Sequence, residues 1–470
     1  MKLDFRTLRK DEEGKYFVTD TETDGEVEIL CEMFPPEQWN CPEAFDMAGV
    51  KGYEPMTAKE LETDEAQDKV LSSDEYYIEE KFDGTRAIVQ FFSQECIESG
   101  DVVDEMGWSR VFSRRVSKKT GFYAENTDSL PQIRDIDVPE LAGTVLDGEM
   151  FINGLPFKEV SSTLNCLPAK AVDRQIEKGL ISLHAFDILK YHGIDLRKMP
   201  LERRKVYLHL AIEEADSPFI EEVEYFSCGD TMNTDVYSEV MKRINPYDED
   251  EYFDFLEENR DSYPNLYKCW EEKSQLTPRA YYELIVSTGG EGVIVKPKSG
   301  KYYHKRGWEY SKIKKFLTRE LILVDFTEPT REYAGKAPKN WAYYEGDTPV
   351  TKNYYNKQVG NMLLGVLISV EEFNKIPKDK RGVTHVPSHI CPELKDYDIS
   401  HFIMEVCDCT GYSDEDRAYF TRNRKKMIGT VVEVKANEIF RDSGKLRHPR
   451  FLRRRFDKEP EECIWSDHIM

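Results

Sequence analysis

Apolar and polar positions between residues 76 and 296 follow the patterns of strands interleaved with helices. Tyr76–Glu80 and Arg86–Phe92 are predicted as two strands around a turn at Asp83-Gly84, because Asp-Gly between two apolar runs is typical of a hairpin. Three further apolar, β-rich runs are predicted as strands: Thr144–Ile152, Ile181–Leu189 and Gly292–Lys296.

The same pattern predicts two helices and then a second, different region. Pro200 precedes the run LERRKVYLHLAIEEA, and a helix is predicted there because Pro is favoured in the first turn of a helix. Thr234–Ile244 is predicted as another helix. After about Phe316 the pattern changes to strand-like segments between stretches rich in Gly, Pro and Asn: Leu321–Phe326, Met362–Val370, His401–Cys407 and Gly429–Ala436. This change predicts a separate, mainly β domain.

The chain has 470 residues, about three times a typical domain length, so more than one domain is expected. We predict an α+β fold with an acidic segment of unknown fold over residues 1–50, a first domain over residues 51–316 and a β domain over residues 317–470. A polar, tyrosine-rich insertion near residues 328–358 is interpreted as a surface loop. No window approaches about 18 uninterrupted apolar residues, and no apolar signal region opens the chain, so a cytoplasmic location is expected.

Composition and charge narrow the classes of partner. Hydrophobic residues make up 40% and charged residues 33% of the chain, which excludes collagen-like, mostly disordered and membrane-embedded proteins. The formal net charge is −24, and residues 1–80 hold 8 Lys and Arg against 23 Asp and Glu. Two later stretches, Lys296–Arg319 and Arg441–Lys458, are basic and suited to binding phosphates, with a solvated charged face as the alternative for each.

Cysteine usage predicts no disulfide framework, because most of the 10 cysteines stand alone. The residues of zinc-ligand type that lie close together are His385, His389, Cys391, Cys407 and Cys409. Such pairs also arise by chance, so isolated thiols are the alternative to a zinc site, and the sequence does not decide between the two.

The sharpest motif is the run from Lys81 to Arg86, KFDGTR, in which a lysine ends one predicted strand and an arginine opens the next. A lysine amine attacks phosphorus only when it is unprotonated, which neighbouring cations or a metal ion favour. An ordinary hairpin turn is the alternative for this motif taken alone.

Later segments supply carboxylates and ammonium groups. Glu149 ends the run LDGE and Glu291 precedes the run GVIVK, so both lie at the ends of predicted strands. Two such carboxylates can hold Mg²⁺ or a ribose hydroxyl, and an ordinary strand-end acid is the alternative for each. The period of two places Lys312 and Lys314 on one strand face and Ile313 on the other. Two ammonium groups on one face repel unless an anion such as phosphate lies between them.

In their order, these segments resemble the motif series of covalent nucleotidyltransferases, the superfamily of DNA ligases, RNA ligases and mRNA capping enzymes: Lys81–Arg86, Ser113-Arg114, Asp147–Glu149, Phe186-Asp187, Glu291–Lys296 and Lys312–Lys314. The runs Leu446–Leu452 and Arg455–Lys458 resemble the last motif of ATP-dependent DNA ligases in particular. Ser311 departs from the pattern, since ligases often carry Trp there, but it is not a reacting group. The chain is thus similar to the compact ATP-dependent DNA ligases of phages and bacteria.

The resemblance implies a fold and an activity. It implies an adenylation (nucleotidyltransferase) domain of antiparallel sheets with flanking helices over residues 51–316, and an OB-fold β-barrel domain over residues 317–470. The implied enzyme is a monomer that uses ATP and Mg²⁺ or Mn²⁺ to seal nicks in double-stranded DNA in a bacterial or phage-infected cytoplasm, without a membrane. An RNA ligase or a GTP-dependent mRNA capping enzyme with the same core is the alternative.

The resemblance also implies residue roles. Lys81 would be the nucleophile that takes AMP from ATP, while Glu149 and Glu291 would serve the metal ion. Phe186 would stack on adenine, with a place in the core as the alternative. The residues implied in nucleotide binding are Glu79, Arg86, Arg114, Glu149, Phe186, Glu291, Lys296, Lys312, Lys314, Arg455 and Lys458. Those implied in DNA binding, with nucleotide contact as the alternative, are Arg447, Arg450, Arg453 and Arg454.

Overall fold

The structure of the protein, a computed structural model, describes residues 2–30, 54–98, 108–116, 123–152, 154–229, 231–335 and 339–469. The chain divides into two units, Met1–Lys314 and Lys315–Met470. The division falls two residues before the boundary that the sequence predicts.

The first unit contains three sheets. Its strands are β1 (Leu3–Lys10), β2 (Tyr16–Asp20), β3 (Gly25–Ile29), β4 (Thr57–Glu60), β5 (Tyr76–Glu80), β6 (Thr85–Phe91), β7 (Ser109–Val116), β8 (Tyr123–Glu125), β9 (Val145–Phe151), β10 (Ser182–Tyr191), β11 (Ile194–Asp195), β12 (Ile220–Glu222), β13 (Tyr225–Ser227), β14 (Gly292–Pro297) and β15 (Arg306–Lys314). The strand orders are β1-β2-β3, β11-β10-β9-β6-β7-β8 with β12 beside β10, and β13-β5-β14-β15-β4. The strands pair antiparallel except for β10 with β12 and β15 with β4.

Helices pack around the two larger sheets of this unit. They are Asp64–Leu71, Gln94–Glu98, Pro131–Arg134, Phe157–Leu164, Pro168–Lys178, Leu201–Ala215, Val236–Met241, Glu249–Glu258, Pro264–Glu271 and Pro278–Ser287. The helix predicted after Pro200 is confirmed, because it begins at Leu201 and ends at Ala215. The mixed α/β architecture that the sequence predicts is therefore observed.

The first 30 residues, for which the sequence predicts no fold, contain the three-stranded sheet β1-β2-β3. Phe5 and Val18 of this sheet are buried against Val172, which lies on the helix Pro168–Lys178. The Tyr16 hydroxyl donates a hydrogen bond to the backbone oxygen of Ala169 at 2.8 Å. Alternate apolar residues thus attach this small sheet to the rest of its unit.

The second unit is mainly β. Its strands are β16 (Leu317–Phe326), β17 (Tyr344–Glu345), β18 (Thr348–Pro349), β19 (Met362–Ser369), β20 (Thr384–His385), β21 (His401–Cys409), β22 (Val431–Ala436), β23 (Glu438–Phe440), β24 (Lys445–Arg447) and β25 (Arg450–Arg454). Six of them form a sheet in the order β20-β21-β19-β16-β22-β25. The helices of this unit are Lys352–Tyr355, Val370–Lys375, Pro387–Ile390, Asp414–Met427 and Trp465–Ile469. Across the described ranges, no helix has the length and apolar character needed to cross a membrane.

Candidate functional site

The predicted site residues of the first unit lie on the inner sides of its two larger sheets. In the five-stranded sheet, Ile78, Val293 and Ile313 are fully buried in one hydrophobic core. Since successive side chains of a strand point to opposite faces, their neighbours lie on the other face. These neighbours are Glu79, Ile294, Lys296, Lys312 and Lys314. The predicted separation of Ile313 from the two lysines is confirmed.

The seven-stranded sheet follows the same rule. Leu146 and Met150 of β9 and Ala185 of β10 are buried in the other large core of this unit. The alternate positions face away from that core and toward the five-stranded sheet, as the contacts below describe. They are Arg86, Asp147, Glu149, His184 and Phe186.

Lys81 follows directly after β5 and is held at both ends. Its backbone N–H donates to the oxygen of Gly292 at 2.9 Å, and its Nζ donates to a carboxylate oxygen of Glu291. The Lys81 side chain is 23% exposed, so the amine is reachable from solvent. The other Glu291 oxygen lies 3.6 Å from the Nζ of Lys314, so one carboxylate lies between two ammonium groups.

Positive charge accumulates on this face of β15. The Lys314 side chain is 8% exposed, and burial together with the charge of Lys312 lowers the pKa of Lys314. The Nζ of Lys312 lies 3.5 Å from a carboxylate oxygen of Glu60 on the neighbouring strand β4. Two buried or half-buried ammonium groups on one face, next to Lys81, make a strong position for a phosphate.

Two glycines allow the backbone around Lys81 to pack closely. A Cβ on Gly84 would lie 2.3 Å from the backbone oxygen of Met150, and a Cβ on Gly292 would lie 2.2 Å from that of Ile313. Gly292 also has a φ of +141°, which favours glycine. Any other residue at these two positions would push the strands beside Lys81 apart.

Arg86 is fixed by Asp147 on the adjacent strand. Its Nε and Nη2 donate to the two carboxylate oxygens of Asp147 at 2.5 and 2.6 Å, and Nη2 also donates to the backbone oxygen of Met56. The hydroxyl of Tyr302 donates to the same carboxylate at 2.7 Å. Although burial acts to lower the pKa of Arg86, the charge of Asp147 raises it above the ordinary value. The guanidinium therefore stays charged and rigid.

The ring of Phe186 lies between charged groups and outside the two large cores of the unit. The guanidinium carbon of Arg86 is 4.4 Å and the Nζ of Lys296 is 4.5 Å from the centre of the ring. Both distances are typical of cation–π contacts. Phe186 is partly buried, so one part of its surface is still accessible.

Glu79 lies between two buried lysines. One of its carboxylate oxygens accepts a hydrogen bond from Lys296 at 2.5 Å, and the other is 2.9 Å from the Nζ of Lys205. All three side chains are at most 2% exposed. Burial lowers the pKa of Lys296 to about 8. Within the described part of the chain, neither Oε1 of Glu79 nor Nζ of Lys205 has a hydrogen bond of acceptable geometry. Oε1 of Glu79 can therefore still accept a hydrogen bond.

A second buried ion pair joins Arg204 to Asp187, which follows Phe186 in the chain. The Asp187 carboxylate accepts two hydrogen bonds from Arg204, at 2.7 and 2.8 Å, and one from Tyr310. Burial acts to raise the pKa of Asp187, but the charge and hydrogen bonds of Arg204 lower it to about 2. The Nζ of Lys296 also lies 4.4 Å from the centre of the Tyr310 ring, so the two buried networks touch.

Glu149 is surrounded by charges of both signs. Burial raises the pKa of its carboxyl to about 7, against the opposing charges of Arg86 and Lys81, while Asp147 and Glu291 add to the rise. Repulsion among carboxylates in one place is what a bound cation relieves. Glu149 and Glu291 therefore lie within electrostatic reach of each other, and their role toward a metal ion stays a prediction.

The motif series did not assign a role to several residues that the structure brings into the site. They are Asp147, Arg204, Lys205, Tyr302 and Tyr310. A signal for two of them exists in the sequence, because Asp147 interrupts an apolar strand and Lys205 has the helical spacing that places it on one face with Leu201 and Leu208. Neither pattern indicates the partner across the fold, which is why the roles were missed.

Arg114 is not brought into this cluster. It lies in β7 with an exposed side chain. Its neighbour Ser113 pairs with Ala87 of β6, the residue after Arg86. Arg114 therefore lies level with the start of β6, next to Arg86 in the sheet.

The predicted residues of the second unit lie in pairs with acids. Arg455 donates to Glu320 and to both oxygens of Asp457, the latter at 3.0 and 2.8 Å. Lys458 is 2.7 Å from Glu462 and 3.7 Å from Glu320. These two residues therefore share one acidic network around Glu320.

The four arginines predicted to bind DNA lie on or beside β24 and β25. Arg450 is exposed, and Arg453 donates to Glu433 at 2.5 Å. The guanidinium of Arg454 lies 4.5 Å from the ring of Tyr419, and Arg447 is 3.4 Å from Glu438. Arg450 and Arg453 are exposed and Arg447 and Arg454 are partly buried, and guanidinium groups that solvent can reach suit a phosphate backbone.

The cluster of possible zinc ligands is not gathered into one place. His385 contacts Glu405 at 2.8 Å, while Cys391 and Cys409 belong to different hydrophobic cores. Burial raises the pKa of both thiols to about 12. Nowhere in the described ranges do three or more His, Cys, Asp or Glu side chains come together in a group able to hold a metal ion.

Comparison with known proteins gives one family. Residues 55–243 match the model for the ATP dependent DNA ligase domain. A curated DNA ligase from Halorubrum lacusprofundi is 30% identical over 169 residues, which is 34% of this chain and 27% of that relative. The match thus spans little more than a quarter of the relative's length.

Solved structures of DNA ligases are similar at low sequence identity. One described as a structure–function analysis of Lig E DNA ligases is 16% identical, covers 86% of this chain and 99% of its own, and has a TM-score of 0.43. The ATP-dependent DNA ligase from bacteriophage T7 in complex with ATP is 14% identical, covers 86% and 98%, and has a TM-score of 0.36. The family whose model matches residues 55–243 is the one that the motif order resembles.

Proposed function

We propose that the protein is an ATP-dependent DNA ligase that seals nicks in duplex DNA through a lysyl-AMP intermediate on Lys81. The observation that carries the proposal is the convergence of Lys81, Glu291 and Lys314 at the meeting of two sheets. It is supported by the family match over residues 55–243.

In the first step, Nζ of Lys81 attacks the α-phosphorus of ATP. A phosphorus–nitrogen bond forms, the bond to the departing pyrophosphate breaks, and the amine loses a proton. Glu291 holds the amine in place, and Lys312 and Lys314 neutralise the charge that builds on the phosphate oxygens. Arg86 contacts the ribose or phosphate from its rigid position beside Asp147.

The adenine base stacks on the accessible part of Phe186, and stacking of a base on an aromatic ring contributes about 1–3 kcal/mol in single-strand sites. Oε1 of Glu79, which has no hydrogen bond among the described residues, accepts one from the exocyclic amine of adenine. Guanine presents a carbonyl oxygen at that position, which a carboxylate repels, so ATP is preferred over GTP. Lys296 contacts both the Glu79 carboxylate and the Phe186 ring and so holds the two at a fixed separation.

A divalent cation, Mg²⁺ or Mn²⁺, fits beside Glu149 and Glu291. The support for this fit is that Asp147 and Glu291 lie close enough to Glu149 to add to the rise of its pKa, which burial causes in the main. When bound, the ion supplies charge neutralisation for the phosphates of ATP. The two carboxylates hold and orient it, and Glu149 can instead contact the ribose.

In the second step AMP moves from Lys81 to the 5′-phosphate at the nick, and in the third step the adjacent 3′-hydroxyl displaces AMP. Arg114 receives the nick phosphate. The second unit binds the DNA backbone through Arg447, Arg450, Arg453 and Arg454, and Arg455 with Lys458 steers pyrophosphate.

We further propose that the second unit is an OB-fold, a five-stranded Greek-key barrel that binds nucleic acids in many proteins. Its support is the chain of pairings β21-β19-β16-β22-β25 together with a parallel bridge between Thr410 and Arg450, which joins the end of β21 to β25. The helix Asp414–Met427 follows β21 and precedes β22.

The test is a denaturing-gel assay of a labelled, nicked DNA duplex with Mg²⁺ and ATP, beside Lys81→Ala. We expect a longer, sealed strand that needs both ATP and Lys81. Thr85→Ala is the matched control, because it changes a neighbouring side chain outside the proposed machinery. Retention of AMP transfer by Lys81→Ala, or the absence of both sealed and 5′-adenylated strands with the wild-type protein, would contradict the proposal.

A further inference from the structure

A cavity of about 540 Å³ lies in the second unit between the insertion near residues 328–358 and the helix Asp414–Met427. Its size is within the range of small-molecule sites. Tyr344, Tyr354 and Tyr355 form much of its wall, and Gln358 and Thr421 add polar groups. The insertion is thus more than the surface loop that the sequence predicts, since it contains β17, β18 and a short helix.

The walls of the cavity are held in place by polar contacts. The Thr351 hydroxyl donates to the oxygen of Thr330 at 2.5 Å, and Trp341 Nε1 donates to the oxygen of Tyr343 at 2.9 Å. Lys352 joins the insertion to Asp414, the first residue of the facing helix, at 2.5 Å. The cavity is therefore formed before any ligand enters.

Three of the four charged groups that line the cavity have partners within the protein, and the fourth, Lys357, is exposed. Glu345 is 2.6 Å from Arg331, and Arg424 is 3.0 Å from Asp325 and 3.6 Å from Glu328. The lining holds two carboxylates, Glu328 and Glu345, and two cations, Lys357 and Arg424, so its formal charges balance without a charged ligand. An uncharged ligand suits this lining best.

The remaining groups of the lining favour a planar molecule that donates a hydrogen bond. Tyr344 is 42% and Tyr355 is 53% exposed, which leaves aromatic surface to stack against. Oε1 of Gln358 is buried and has no hydrogen-bond partner among the residues that the structure describes. A buried amide oxygen without a donor is costly, so an N–H group of a ligand would stabilise it.

We propose that this cavity binds an unpaired nucleobase, which is planar, uncharged and rich in N–H donors. The inference rests on the proposed function, because DNA then supplies the base. Arg454, proposed to hold the DNA backbone, lies 4.5 Å from the ring of Tyr419 on the helix Asp414–Met427, and Thr421 on another face of the same helix lines the cavity. Nicks or breaks with an unpaired nucleotide nearby are the substrate class that this arrangement favours.

The experiment uses the full chain and 2-aminopurine, a fluorescent base that stacking quenches, placed unpaired beside the nick of a DNA duplex. The variants are Tyr355→Leu and Gln358→Leu. Tyr247→Leu is the matched control, because Tyr247 is 95% exposed and lies in the other unit. We expect the affinity for this duplex to fall about fivefold or more in each of the two variants, with wild-type affinity for a fully paired nicked duplex.

Equal affinities of wild type and variants, or no preference of the wild type for the unpaired base, would overturn the inference. Free 2-aminopurine riboside forms a second arm: quenching that depends on the same two residues identifies a free nucleoside as the source of the base, and quenching only on DNA identifies an unpaired nucleotide. Self-adenylylation on Lys81 is measured in parallel. Its absence in a protein that still binds the base contradicts the proposed function and leaves the cavity assignment standing.

Discussion

Lys205 shows how strongly one buried side chain can influence the nucleotide site. It is 1% exposed, it lies 2.9 Å from Glu79, and its ammonium group also contacts the ring of Tyr225 at 4.3 Å. With Lys296 on the other oxygen, it sets the orientation of the carboxylate that is proposed to read adenine. Lys205 is thus a positioning residue, since it acts through Glu79.

Lys205→Met is expected to weaken nucleotide selection more than the reaction itself. Methionine keeps most of the apolar stem, but Glu79 loses one of its two counter-ions and can turn. We expect the KM for ATP to rise and the preference for ATP over GTP to fall about tenfold, or ~1.4 kcal/mol, with little change in kcat. Steady-state self-adenylylation with each nucleotide measures this.

Lys242→Met is the matched control for that variant. Lys242 pairs with Glu224 at 2.9 Å and with Glu239 at 2.7 Å, and it is not among the residues proposed to bind the nucleotide. An unchanged ratio of ATP to GTP use in Lys205→Met would count against the positioning role. A loss of kcat alone would point to a general structural defect.

Glu149 is expected to reduce stability above neutral pH. Its folded pKa of about 7 is higher than the ordinary 4.5, so the folded state binds the extra proton and loses stability as the pH rises from about 4.5 through 7. Glu149→Gln removes the titrating carboxyl group and with it this loss of stability. We expect the variant to be more stable than wild type by about 2–3 kcal/mol at pH 8 and no more stable near pH 4.5, in denaturant unfolding without a divalent cation. The same difference in stability at pH 8 and near pH 4.5 would contradict the explanation by the charge of Glu149.

Single residues also mark the limit of what the sequence predicts. The alternation of Ile313 with Lys312 and Lys314 identifies the face of a strand, because the period of two is local. The pairing of Glu79 with Lys205 joins positions far apart in the chain, and no local pattern contains it. The sequence therefore predicts which face of a strand a side chain lies on, but not the distant contacts that orient it.

At the scale of elements, the turn between β5 and β6 depends on close packing against β9. A Cβ on Gly84 would be 2.3 Å from the oxygen of Met150 and 2.9 Å from Cγ of Glu149. Neither atom can move without displacing β9. The glycine thus fixes the distance between Lys81 and the carboxylates.

Gly84→Ala is expected to reduce self-adenylylation at least tenfold and to lower the thermal transition, with circular dichroism showing that the fold is kept, because a displacement of about 1 Å at a reacting group costs up to a hundredfold in rate. Thr85→Ala should behave as wild type in the same assay. Wild-type adenylylation in Gly84→Ala would show that the close approach is not needed.

Element boundaries were predicted best where the pattern is local and long. Tyr76–Glu80 is β5, and the helix Leu201–Ala215 follows Pro200 as predicted. The helix predicted at Thr234–Ile244 is shorter, Val236–Met241, because Asp235 caps its start by accepting from Ser238. The sheet of the first 30 residues escaped prediction because its strands are short and charged on one face, and only packing on Val172 completes them.

At the scale of the whole molecule, the two units are proposed to serve different steps. Arg455→Ala is expected to slow self-adenylylation at least tenfold more than it slows sealing of a pre-adenylated nick, because steering pyrophosphate matters only in the first step. Lys375→Ala, which removes an exposed lysine paired with Glu371 at 2.8 Å, is the control in the same unit. Equal losses in both assays would argue against the leaving-group role, and would favour disruption of the network with Glu320 and Asp457.

The attachment of the small N-terminal sheet has a practical consequence for protein engineering. Leu30 accepts a hydrogen bond from Arg134 at 2.8 Å, and Glu54 accepts one from His304 at 2.8 Å, so the chain is fastened to the same unit on both sides of residues 31–53. Apolar burial around Val172 and the ion pair of Lys10 with Asp173 hold the sheet without help from that connection. A polypeptide cut there is expected to remain assembled as two fragments, which makes the position suitable for split-protein complementation.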